Sequence, residues 1–198
     1  MADPSYIVDG VLTDGEAWVA LATTTLGAAA ATVTLTSTDD GQVGDFSQYM
    51  DLVVVLYVAS DDAADYDFML TWLNGDTTTT NYVFQTFVGD GRPAVEADYS
   101  ATGPRGLDTR RCAGANATNV FSAMVIHLSD VNSGKYKNAL VEMANDIGTE
   151  VEASSVGIAT SQWESLAPIT SIVFGMNTGD VAAGAMFSLF GVLPRMVS

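Results

Sequence analysis

The chain has 198 residues, 48% of them apolar, with 24 Asp or Glu against 7 Lys or Arg and a formal charge of −17. So acidic a surface repels phosphate backbones and anionic headgroups, because nucleic-acid binding depends on basic side chains that displace condensed counterions. Neither nucleic acid nor membrane is an expected partner. One all-β domain of this length buries roughly 70% of its unfolded surface and needs no staple to hold a core, and a single cysteine, Cys112, leaves no intrachain disulfide to form.

The chain opens on residues 1–15, which read as an arm ahead of a sandwich spanning 16–198. Met-Ala-Asp-Pro-Ser lacks the basic stretch and apolar centre of a signal peptide, and no run of 18 apolar residues occurs. The expectation is a protein made in the cytoplasm that stays soluble until it joins an assembly. Tyr6, Ile7, Val8, Val11 and Leu12 give the arm more apolar content than a free tail needs. They are expected to lie against a neighbour.

Short apolar or β-branched runs separated by Gly, Asp, Asn and Pro then predict strands over 16–25, 31–37, 52–59, 66–73, 82–88, 120–128, 138–145, 149–162, 169–174 and 185–193. Val33 and Leu35 alternate with threonines, as a half-buried strand requires. Leu52-Val53-Val54-Val55-Leu56-Tyr57-Val58 is apolar throughout, which predicts a central strand covered on both faces. Between 66 and 73, Tyr66, Phe68, Leu70 and Trp72 share one face and Asp67, Met69, Thr71 and Leu73 the other. Asn74-Gly75-Asp76 follows, a hairpin signal because Asn and Gly tolerate positive φ. Residues 92–119 show no period and contain Pro93, Gly103, Pro104, Gly106 and Gly114; so long a loop is expected to be functional or packed against a neighbour. The class is an all-β antiparallel sandwich forming a single domain.

Catalytic chemistry finds little to stand on. The one histidine, His127, sits in a strand pattern with no Gly-x-Ser-x-Gly elbow and no nucleophile assignable beside it. The phosphate-binding and dinucleotide glycine patterns are missing. Glu142, Glu150, Glu152 and Glu164 read as solvated charge rather than a glycosidase couple. No enzyme activity and no catalytic residue are expected. Asp61, Asp62, Asp65 and Asp67 cluster hard oxygen ligands of the kind calcium takes, but without EF-hand spacing. No cofactor is expected, and calcium at those four carboxylates is the one metal reading the ligand type allows. Arg105, Arg110 and Arg111 share the long loop on an otherwise negative chain; they pair either with carboxylates of an adjacent copy or within their own subunit. Tyr82, Tyr99, Tyr136 and Trp163 have the chemistry to stack on sugars, with a core role the better-supported reading for each.

Three stretches resemble a pattern in tailed-bacteriophage virion structural proteins. The first runs from Trp18 to Gly27 and on through Ala29–Leu35. The second is Asp45-Phe46-Ser47-Gln48-Tyr49-Met50-Asp51-Leu52, in which a tyrosine and an aspartate precede a buried strand. The third joins Trp163 and Ile169–Phe174 to Ala185-Met186-Phe187-Ser188-Leu189-Phe190-Gly191-Val192. The resemblance extends from about Trp18 to Val192. It implies a jelly-roll and a place on the outer surface of a virion, in capsid decoration (cement) proteins, head fibres or tail-associated modules, commonly as homotrimers. With only a short arm before the first strand, the chain is closest to a decoration protein that contacts the major capsid protein and stabilises the shell. The alternative implied is a tail fibre or tail-tip module that binds a host-surface glycan.

Overall fold

The computed structural model describes residues 7–8, 11–12, 18–90, 96–100, 102–103, 105–147 and 154–193. In chain order the strands are β1 (Ile7–Val8), β2 (Val11–Leu12), β3 (Trp18–Thr25), β4 (Thr32–Thr36), β5 (Asp51–Val58), β6 (Tyr66–Leu73), β7 (Tyr82–Gly89), β8 (Glu96–Ser100), β9 (Arg111–Ala113), β10 (Ser122–Ser129), β11 (Lys137–Asn145), β12 (Ser155–Trp163), β13 (Ser171–Met176) and β14 (Met186–Val192). The larger sheet has the order β3-β14-β5-β10-β11-β12-β7-β8 and the smaller β4-β13-β6-β9, while β1 pairs with β2 alone. The named ladders are antiparallel. The chain is an all-β, jelly-roll-like sandwich.

Period-two patterning explains why the sheets face each other. In β4, Val33 and Leu35 are buried between exposed threonines. In β11, Ala139, Val141 and Met143 turn inward while Asn138, Leu140, Glu142 and Ala144 turn out. Inward residues of β5 and β10 (Leu52, Val54, Leu56, Met124, Ile126) join Met69, Leu73, Ile172 and Phe174 of the smaller sheet in one core. The Phe174 and Phe187 rings, 5.1 Å apart, couple the two layers. Each such side chain contributes about 1.5–3 kcal/mol by leaving water.

Three expectations from sequence need correction. The Asn74-Gly75 turn forms, with φ of 53° and 67° and a bond from Asp76 N to Leu73 O at 3.0 Å, yet β6 and β7 lie in different sheets. It is a corner rather than a hairpin, because its polar groups bind across the sandwich. Asn74 Oδ1 accepts from Thr170 N and Ser171 N, and Asp76 Oδ2 accepts from Asn81 Nδ2 and Trp163 Nε1. Tyr82 Oη donates to Asp76 O and accepts from Leu73 N.

The second correction concerns β5, which is central but only partly covered on its outer face: Val53 is buried there, whereas Val55 and Tyr57 are exposed. The third concerns 92–119, which contributes β8 and β9 and a buried run. The smaller sheet has half as many strands as the larger, so it leaves the inner side of β7 and β12 bare. Leu107, Asp108 and Thr109 fill that gap. Thr86 Oγ1 donates to Asp108 Oδ2, Asp108 N donates to Ser161 Oγ, and Leu107 N donates to Thr71 O. Gly106 permits the approach: its φ is +76°, and a Cβ there would lie 1.9 Å from Thr71 O.

Candidate interaction surface

The residues with reactive side chains are bound into the fold. His127 projects from the outer face of β10, and Asp51 Oδ2 lies 3.0 Å from its Nε2. Its strand neighbours on that face are Val53 and Leu140, and among the described residues Asp51 is its hydrogen-bond partner. Cys112 is fully buried with Sγ 3.6 Å from Met176 Sδ, and burial pushes its thiol up to about 12, far from the thiolate a nucleophile needs.

The acidic cluster serves the backbone. Asp67 is buried; its Oδ2 accepts from Ser60 Oγ, Thr178 N and Gly179 N and its Oδ1 from Phe68 N. Asp61 Oδ1 accepts from Asp180 N. With these lone pairs committed, no three His, Cys, Asp or Glu side chains converge as metal ligands among the described residues, Asp62 and Asp65 included.

The three arginines are engaged inside their own chain. Arg110 Nε bonds Asp108 Oδ2 at 3.0 Å and its Nη2 reaches Asp98 at 3.3 Å. Arg105 lies 3.8 Å over the Phe68 ring and Arg111 lies 4.4 Å over Tyr66, a cation–π arrangement that covers the aromatic outer face of β6. Burial lowers the Arg105 guanidinium somewhat, with Asp108 opposing. Of the arm residues, Tyr6 lies outside the described residues. Ile7 pairs with Leu12 and Val8 with Val11 in backbone register, and their side chains lie outside what is described. Tyr82 and Trp163 belong to the core, whereas Tyr99 and Tyr136 are exposed.

Sequence reasoning missed the broadest feature of the surface. The outward residues of the larger sheet line up in cross-strand rows. One row reads Ser188, Val55, Val125, Glu142, Ile158, Phe87, Ala97 and the next Met186, Tyr57, Ala123, Ala144, Val156, Gly89. Val156 is 65% exposed, Phe87 55% and Tyr57 47%. Small Ala123 and Ala144 sit between taller neighbours and open an apolar trough of about 570 Å³, walled by Val55 and Val125 on one side and Val156, Ile158 and Phe87 on the other. Asp51 and Glu142 are the carboxylates on this face among the described residues. The signal was present in the unbroken apolar run of β5, and in β12, where Val156 and Ile158 alternate with Ser155, Ala159 and Ser161. There the two branched aliphatic side chains take outward positions.

A second, polar recess of about 450 Å³ opens beside β6, lined by Asp65, Tyr66, Phe68, Asn116, Asn177 and Thr178 among others. It presents the carboxylate of Asp65 beside buried Asp67, two amides and the Thr178 hydroxyl, groups able to hydrogen-bond a polyhydroxylated ligand, while Arg111 and Arg105 lie over the Tyr66 and Phe68 rings.

No protein-family model matches the chain, and no curated protein sequence matches it. Among solved structures it is similar to the CBM40 of Ruminococcus gnavus IT-sialidase, at 9% identity and a TM-score of 0.25 over 91% of this chain and 95% of that one. A likeness at that level carries no argument about function.

Proposed function

We propose that this chain is a non-enzymatic structural protein of a tailed-bacteriophage particle, acting as a capsid decoration protein that binds the outer shell and stabilises it. One observation carries the reading: an apolar, almost uncharged face on a molecule whose net charge is −17. A protein that works by contact needs such a face, since apolar area removed from water supplies most of the drive for association. The side chains that would otherwise suggest chemistry have structural partners: His127 with Asp51, buried Cys112 with Met176, and Asp67 with backbone amides. The motif residues of the virion resemblance also meet in space, the Tyr49 ring lying against Gly191. Contact area gained at each subunit junction of a shell would oppose the outward pressure of packaged DNA.

The polar recess beside β6 favours the second reading, a tail-tip module that binds a host-surface glycan. Quantitative mass spectrometry of purified particles separates the two. Hundreds of copies per particle are expected for decoration; a handful would place the chain in the tail; absence from the particle would overturn both.

A further inference from the structure

We propose that the outer face of the larger sheet, centred on Tyr57, Phe87, Val156 and Ile158, is the surface through which this chain binds a second copy of itself. The inference deepens the functional reading by assigning the face that carries it to contacts between copies, and its test needs no particle.

Area is the first argument. The exposed fractions of the nine large apolar side chains on the face, from Trp18 on β3 to Tyr99 on β8, add up to about four and a half whole side chains, on the order of 800 Å². A monomer's largest apolar patch is usually about 300–600 Å², whereas each partner in a stable protein–protein contact gives up about 800 Å². Spread over the whole face, that apolar area is near the size an interface needs.

Charge identifies the occupant. Two molecules at −17 repel wherever their acidic surfaces meet, and this face confines its described carboxylates to Asp51 and Glu142. A basic partner would be steered first to the acidic surfaces elsewhere. A second copy meets the least repulsion on this face.

Shape agrees with charge. The trough floored by Ala123 and Ala144 lies over β10 and β11, and the ridge of Val156, Ile158 and Phe87 stands on β12 and β7 beside it. The ridge of one copy can enter the trough of the next, mutually in a pair or cyclically in a ring of three. Packed so, the two sheets would lie about 10 Å apart, like the layers of a sandwich. The unbroken apolar run of β5 is then explained, because its outer side becomes interior.

The test uses the full chain. Sedimentation equilibrium from about 0.1 to about 100 µM spans the weak end of contacts this size, and hydroxyl-radical footprinting reads which side chains are covered. Expected are a mass above that of the monomer and loss of labelling at Tyr57, Phe87 and Met186, with Tyr136 and Leu166 unchanged. Val156→Glu should weaken association by about tenfold to a hundredfold, and Leu166→Glu, at an exposed site off this face, should not. A chain that stays monomeric throughout would overturn the proposal, and its apolar face would then belong to a different protein. Association that leaves Tyr57, Phe87 and Met186 fully reactive would overturn it equally. Because the footprint is taken on the unaltered chain, poor folding of Val156→Glu would not blunt the test.

Discussion

Gly191 occupies a position where only hydrogen fits, since a Cβ there would stand 2.3 Å from the Tyr49 ring. Gly191→Ala should therefore overpack the site and cost about 1–3 kcal/mol, read as a lower melting temperature with an unchanged far-UV spectrum. Asp76 carries the other residue-scale constraint. Burial pushes its carboxyl up, but bonds from Asn81, Trp163 and Thr78 outweigh that and hold it down at about 2. A folded pKa below the ordinary 3.8 favours the folded state above about pH 4, and that contribution is lost as pH falls through 2. Asp76→Asn leaves a single oxygen for donors that now use two. It should cost about 2 kcal/mol at neutral pH, and the gap from the parent should close near pH 2 in denaturant titrations. At this scale the sequence was only partly legible: Asn74-Gly75 announced its turn, but nothing nearby revealed that Asp76 would bind Trp163, 87 positions away.

Among the elements, those governed by side-chain alternation could be read directly. Residues 66–73 form a strand as expected, and β4, β10 and β11 lie within a few residues of their predicted bounds. Two kinds of element could not. β8 and β9 are short, and they form because the smaller sheet leaves β7 and β12 uncovered, a consequence of how the sheets assemble. The facing of β12 is not legible for a different reason: alternation marks two faces without saying which is the core. Val156 and Ile158 resemble interior residues, yet they face outward while Ala159 and Ser161 pack inside. The uniform composition of β5 predicted a central strand, which it is, and two covered faces, of which the outer is closed at Val53 and open at Val55 and Tyr57. The same ambiguity hid the candidate surface from sequence reading, while His127, Cys112, Asp61 and Asp67 drew attention as residue types and have partners within the fold.

For the whole molecule, the net charge sets how copies approach. Around a face with few charges lies strongly acidic surface, so bringing two molecules together compresses like charge at the rim. Salt shortens the reach of that repulsion from about 30 Å at 0.01 M to about 3 Å at 1 M while leaving apolar contact intact. Self-association should strengthen as sodium chloride is raised across that range, the reverse of what contacts between opposite charges would show. Sedimentation at fixed protein concentration measures the sign directly. A fall in association with salt would mean that ion pairs, such as any made by Arg105 or Arg111, dominate the contact instead.

The lysines carry a practical consequence. Lys137 is wholly buried, its Nζ donating to the carbonyls of Ser133 and Lys135, while the Lys135 side chain is 80% exposed. Of the two lysine amines in the chain, an acylating dye or biotin ester therefore finds one in the folded state. The terminal α-amine aside, conjugation falls on Lys135, and appearance of the second modified lysine on a peptide map would report unfolding.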